Sequence, residues 1–216
     1  MKFKLLCLCM ISFLCFANAN NIDVDTESKP PVTDSYKSHE KYHFTIQQKN
    51  YSFSSFFEID SEDTYRGNVK KSQFRLRDHY DLSDKDGWCA TGIKRMFSLG
   101  SLYDWAAEID VFGVNDEFLG AIEGKVLTTA KARFLLFDKN REVVGIAFID
   151  LDGKGVTITD PKNETYALAR LTRNFVLDIQ DDWSIIVYEP ENLDDRLIRI
   201  FAAFCIDSQD SFHKDI

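Results

Sequence analysis

Apolar and polar residues alternate with period two along most of this chain. His43-Phe-Thr-Ile46 and Tyr51-Ser-Phe-Ser-Ser-Phe-Phe-Glu-Ile59 show the alternation first. It predicts strands with one buried face. Further on, one phrase recurs: an apolar strand, a polar turn, then a short strand containing a small residue. Glu108-Ile-Asp-Val-Phe112 leads through Gly113–Glu117 into Phe118-Leu-Gly120-Ala-Ile122. Arg133-Phe-Leu-Leu-Phe137 leads through Asp138–Glu142 into Val143-Val-Gly145-Ile-Ala147. Val156–Thr159 and Thr165–Ala169 repeat it around Asp160–Asn163, and a weaker copy runs from Asp78 to Gly92. Asp, Asn and Gly suit the turns because they tolerate left-handed angles or bond their own backbone. The small residue in the returning strand predicts close approach of another segment, or the bend that a closed sheet needs.

The pattern changes at the end. Leu197-Ile-Arg-Ile-Phe-Ala-Ala-Phe-Cys-Ile206 is apolar on nearly every face of a helix. It is far shorter than the roughly 20 residues of a spanning helix. A helix apolar all round is buried in protein. Leu197, Ile200, Phe201, Phe204 and Cys205 are its expected core residues, Asp194 its cap, and Asp195 lies well against its dipole. The polar stripe is narrow: Arg196, Arg199 and Asp207.

These features together resemble the tubby-like superfamily, in its LURP-one-related and phospholipid-scramblase-like branch. The likeness rests on the unit Phe137-Asp-Lys-Asn-Arg-Glu-Val-Val-Gly-Ile146, on the run of such units, and on the closing Asp195-Arg196…Asp207 helix. It covers roughly residues 42–208. It implies a mainly β fold: a closed antiparallel barrel of about twelve strands around a buried hydrophobic C-terminal helix. Relatives include phosphoinositide-binding tubby domains and proteins called scramblases. The chain departs from the scramblase-like members in two ways. It has no Pro-rich arm or Cys cluster after its leader, and it carries an export signal.

That signal is the first segment. Met1-Lys-Phe-Lys4 is a positive start, Leu5–Phe16 an apolar stretch, and Ala17-Asn-Ala19 a cleavage site. Four segments follow from the sequence: 1–19 signal peptide, 20–41 polar linker with Pro30-Pro31, 42–210 barrel, 211–216 tail. The expected destination is periplasmic or secreted, with no transmembrane helix in the mature chain. Removing residues 1–19 takes Lys2 and Lys4 and no acid, so the net charge falls from −9 to −11. Such acidity excludes nucleic acid as a partner. Cleavage also leaves two of five cysteines, Cys89 and Cys205, as either one disulfide or two thiols.

Candidate chemistry is sparse. Arg66, Lys70, Lys71, Arg75 and Arg77 form a basic cluster, joined by Lys94 and Arg95. Arg75 and Arg77 flank Leu76, as Lys131 and Arg133 flank Ala132, so in a strand each pair shares a face. Convergent Lys and Arg side chains suit a phosphorylated headgroup, phosphoinositides included. Asp84-Lys-Asp-Gly87 and Asp150-Leu-Asp-Gly153 are similar to calcium loops but lack the closing Glu, and read as hairpin turns. His39, His43, His79 and His213 show no metal-ligand spacing, and no nucleophile elbow, phosphate loop or Cys-x-x-Cys is present. No cofactor and no metal are expected. Asn50-Tyr-Ser52 and Asn163-Glu-Thr165 are glycosylation sequons if a eukaryote makes the protein. The expected function is a non-enzymatic exported module that binds a protein or membrane lipid through its outer surface or loops. The alternatives are a lipocalin-like carrier, suggested by Gly87-Trp88, and an enzyme with an unrecognised site.

Overall fold

A computed structural model describes residues 42–51, 54–61, 64–72, 75–97, 106–124, 133–150, 155–174 and 182–214. The signal peptide, the linker and Lys131 lie outside the described residues. Twelve strands are present: β1 (Tyr42–Tyr51), β2 (Ser54–Ser61), β3 (Thr64–Ser72), β4 (His79–Asp84), β5 (Gly87–Lys94), β6 (Glu108–Gly113), β7 (Phe118–Gly124), β8 (Arg133–Asp138), β9 (Val143–Ile149), β10 (Gly155–Asp160), β11 (Asn163–Asn174) and β12 (Asp182–Val187). Among the described residues one α-helix, α1, spans Asp195–Lys214, four residues beyond the domain end expected from sequence. Each strand pairs antiparallel with the next, and β12 pairs with β1, so the sheet closes. Closure removes the open edges at which sheets aggregate. The barrel expected from the sequence is the fold observed.

Period two does what it predicted. Phe44 and Ile46 of β1, and Trp183, Ile185 and Val187 of β12, point inward and are buried. The lumen they face is occupied by α1. Every residue from Leu197 to Ile206 is buried. A helix turns about 100° per residue, so such a run faces every direction and needs sheet all around it. Contacts confirm the enclosure. The Phe134 ring of β8 lies 5.7 Å from Phe201 and 5.6 Å from Phe204. Tyr80 of β4 meets Phe204 edge-on at 6.2 Å. On β1, Tyr42 accepts a hydrogen bond from Arg199.

At Gly92 of β5 sheet and helix approach closely. A Cβ there would lie 2.6 Å from Ile200 Cγ2 and 3.1 Å from Ile109 Cγ2. Ordinarily, Gly→Ala in an unstrained strand stabilises slightly by narrowing the unfolded ensemble. Here the sign reverses. Gly92→Ala should cost about 1–3 kcal/mol in urea denaturation, from overpacking. In a double-mutant cycle with Ile200→Ala the cost should shrink, because the clashing Cγ2 is gone.

The two ends of the barrel differ. At the turn end, where α1 enters, aspartates hold tight hairpins. Asp84 Oδ1 accepts the Asp86 N–H at 2.8 Å, Asp138 Oδ1 those of Asn140 and Glu142 at 2.9 and 2.8 Å, and Asp160 Oδ1 that of Lys162 at 2.7 Å. The calcium-like Asp84 segment is thus a turn closed on its own backbone. Its counterpart after Asp150 lies largely outside the described residues. Beside each of these hairpins, and beside β6–β7, the register slips by a bulge. Just before the slip an inward residue faces a small one: Leu82 and Ala90, Val111 and Gly120, Leu136 and Gly145, Ile158 and Ala169. These are the small residues of the repeated phrase.

Both ends of the buried stretch of α1 are pinned. Asp194 Oδ1 accepts the Arg196 N–H at 2.9 Å, and its carboxylate pairs with the Arg196 guanidinium at 2.8 Å. Burial pushes the Asp194 pKa up, but the Arg196 hydrogen bonds and charge outweigh it, and the carboxyl titrates below its usual range. Arg199 pairs with Asp195 at 2.6 Å. At the far end Asp207 pairs with Lys71 at 2.6 Å and accepts the Tyr80 hydroxyl at 2.9 Å. Each residue of the narrow polar stripe therefore has a charged partner, while the buried Arg199 Nε has no hydrogen bond. Cys89 and Cys205 are two free thiols. Cys205 is buried, which pushes its thiol well up and leaves it inert.

Candidate functional site

The end at which α1 leaves the lumen, here the loop end, carries most of the basic cluster. Strand β3 stops at Ser72 and β4 starts at His79, so Arg75, Leu76 and Arg77 lie in the connecting loop. The expectation that they share a strand face is corrected. One apolar residue between two arginines has no partner across a sheet to bury it. All three are exposed. The β5–β6 connection begins alongside. The Lys94 N–H donates to Asp78 C=O at 3.0 Å and ties the two loops together.

The cluster does not converge as a whole. Lys71 is turned toward the helix and held by Asp207, with Asp78 at 3.5 Å. Burial alone would push its ammonium pKa down. The Asp207 charge wins, and the net shift is upward. Arg95 is held by three carboxylates: Asp110 at 2.6 Å, Glu108 and Glu123. Arg66 is six residues from the end of β3, roughly 20 Å along the strand at about 3.3 Å per residue. Its guanidinium lies 5.8 Å from the Tyr42 ring centre. Lys70 is exposed on β3, facing Asp81 in register. Arg133 opens β8, and its side chain, like Lys131, is not among those described. The rim therefore keeps Arg75, Arg77 and Lys70 in one neighbourhood.

Two features near this rim were not expected from sequence. The first is apolar. Leu76 is 96% exposed and Phe97 97%, with Met96 beside it at 39%. One exposed apolar side chain is ordinary, but several on adjoining loops are informative. The signal was present as a repetition: Arg75-Leu76-Arg77 and Lys94-Arg95-Met96-Phe97 both set apolar residues against basic ones. Only the pairing of β4 with β5 shows that the two loops start side by side.

The second is a groove of about 410 Å³ on the outer face of β4 and β5, lined by Arg75, His79, Asp81, Trp88, Thr91 and Ile93. Arg75 Nη1 donates to His79 Nδ1 at 2.7 Å, and Arg75 Nη2 pairs with Asp81 at 3.2 Å. The Thr91 hydroxyl donates to Asp81 Oδ1 at 2.7 Å. Burial, and then the charge of Arg75, push the His79 pKa below its usual value. His79 therefore opens β4 as a neutral ring, in keeping with the expectation of a surface residue.

Acids lie at both ends of the barrel, with Asp78, Glu108, Glu123, Asp150 and Asp182 at the loop end. The turn-end hairpins carry Asp84, Asp86, Asp116, Glu117, Asp138, Glu142, Asp160 and Glu164 against Lys85, Lys139, Arg141 and Lys162. Among the described residues no group of His, Cys, Asp and Glu has the geometry of a metal site, and no helix is long and apolar enough to cross a membrane. No protein-family model matches this chain, and no curated protein matches it significantly.

Proposed function

We propose that the chain is an exported, non-enzymatic binding module that docks reversibly on anionic phospholipid through its loop end. The observation that carries this reading is the pair Leu76 and Phe97, almost fully exposed on two loops tied together at Asp78, with Arg75 and Arg77 on either side of Leu76. An apolar tip flanked by cations suits a membrane interface, where the tip enters the acyl boundary and the cations remain at the headgroups. Burying both side chains would contribute about 3–6 kcal/mol. Arg77 adds about 1 kcal/mol near an anionic surface; Arg75, already paired with Asp81, is not counted. The sum corresponds to millimolar to micromolar affinity, which is peripheral and reversible. Net acidity opposes the approach. The turn-end acids are about 20 Å away along the strands, beyond the Debye length of about 8 Å at physiological salt. Of the loop-end acids, Glu108, Asp110 and Glu123 are paired with Arg95 and Asp78 with Lys71. A lumen filled by α1 favours this reading over the lipocalin-like carrier, which needs that space.

Vesicle sedimentation tests it. The protein should pellet with vesicles containing phosphatidylserine, release at high salt, and stay in solution with pure phosphatidylcholine. Leu76→Ser with Phe97→Ser should weaken binding at least about tenfold. Vesicles with phosphatidylinositol phosphates at matched charge show whether one headgroup is recognised beyond its charge. Equal binding to neutral and anionic vesicles, or binding unchanged in the double variant, would overturn the proposal.

A further inference from the structure

The groove on β4 and β5 has the chemistry of a different ligand. Its polar wall is a closed network. Arg75 and Asp81 neutralise each other, and Asp81 also accepts from Thr91. Because His79 Nδ1 accepts from Arg75, the neutral ring carries its proton on Nε2. What remains for a ligand is a mixed set: the His79 Nε2–H, further Arg75 N–H donors, and the lone pairs of the Thr91 hydroxyl. The other wall is apolar. Ile93 lines it, and Trp88 does so with 46% of its surface exposed.

Each simple ligand class meets an obstacle except one. A phosphate or sulfate would approach Arg75 against the Asp81 carboxylate, which already holds that cation at 3.2 Å. A quaternary ammonium would meet the Arg75 charge while Asp81 is occupied. A purely apolar ligand would cover the polar wall without hydrogen bonds, which is costly. An uncharged polyhydroxylated ring meets none of these. Its hydroxyls act as both donors and acceptors, and its C–H face packs on the flat indole. The groove is shallow and open to solvent, so a ring would lie along it with one face exposed.

We infer that this groove is a saccharide site, with Trp88 as the stacking platform and His79, Thr91 and Arg75 as the hydroxyl-reading groups. The site does not depend on membrane docking: Trp88 lies on β5 away from Leu76 and Phe97, so changing it leaves the apolar tips intact.

The test is calorimetric titration of the full mature chain with uncharged tetrasaccharides of glucose, mannose, galactose and N-acetylglucosamine. Inorganic phosphate and choline serve as controls, and tryptophan fluorescence is followed in parallel. At least one saccharide should bind and perturb the fluorescence. Trp88→Ala and Thr91→Val should each weaken it about tenfold or more, with unchanged circular dichroism and unchanged vesicle binding. The same saccharides displayed as glycolipids in phosphatidylcholine vesicles separate the sources. Binding of the free sugar indicates a soluble glycan, and binding only on vesicles indicates a glycolipid headgroup. Binding in neither form, binding undiminished in Trp88→Ala, or tighter binding of phosphate or choline would overturn the inference.

Discussion

Replacing Phe204 with aspartate is expected to abolish the cooperative unfolding transition altogether. Phe204 has no exposed surface and packs between the Phe134 and Tyr80 rings. Removing a buried Phe costs about 3–5 kcal/mol. Burying a carboxylate in its place raises that group's pKa by up to about 3–5 units, a further few kcal/mol near neutral pH. Together these approach or exceed the roughly 5–15 kcal/mol by which a domain of this size is stable. Phe204→Ala, which carries only the first cost, should still fold and melt earlier. The comparison matters because it separates a helix inside the barrel from one lying on it. On an outer surface the introduced carboxylate would turn to solvent and cost little. A soluble Phe204→Asp variant with a cooperative melt would therefore refute the lumenal placement.

How much of this was legible in the sequence depends on the range of the contact. Strand alternation, the aspartate turns and the small residues at Gly120, Gly145 and Ala169 are local, and they read correctly. The helix was legible because a run such as Phe201-Ala-Ala-Phe204 has no polar face to give to water. Partners distant in the chain were not legible. Lys71 looked like a ligand for anions because its partner Asp207 is 136 residues away. Arg95 looked available for the same reason, since Glu123 reaches it from the far side of β6. Arg75 and Arg77 were misplaced on a strand because Leu76 between them imitates alternation. The groove was invisible, because Trp88 and Thr91 are read as one strand while Arg75 arrives from the loop before another.

The fold confines function to its exterior. A closed sheet offers no edge for strand addition, and α1 occupies the interior. The turn end is made of short, self-bonded hairpins bearing acids. The loop end carries the exposed apolar residues Leu76 and Phe97 beside Arg75 and Arg77. A membrane-facing loop end and a side groove are compatible, since a protein standing on one end leaves its lateral face open.

Removing Lys71 distinguishes the structural use of the basic cluster from a binding use. Lys71→Met would strand the Asp207 carboxylate, whose side chain is only 11% exposed, with the Tyr80 hydroxyl as its remaining partner. Breaking a buried ion pair costs about 3–5 kcal/mol. Lys71 itself keeps 19% exposure, so the expected loss is in the lower half of that range. Adding Asp207→Asn should restore most of it, because the amide oxygen still accepts from Tyr80 and no charge is stranded. The pH dependence gives an independent reading. In the wild type the Lys71 pKa is raised above its ordinary 10.5. A raised lysine pKa contributes stability that is complete below the unfolded value and lost as pH rises through the folded one. The stability gap between wild type and Lys71→Met should therefore be constant near neutrality and narrow above about pH 10.5. Chemical denaturation at several pH values measures it, and a gap independent of alkaline pH would remove the ion pair from the account. Vesicle binding of the folded Lys71→Met variant should match wild type, because this ammonium holds the helix. A loss of binding as large as that of the Leu76 and Phe97 changes would instead place Lys71 among the lipid contacts.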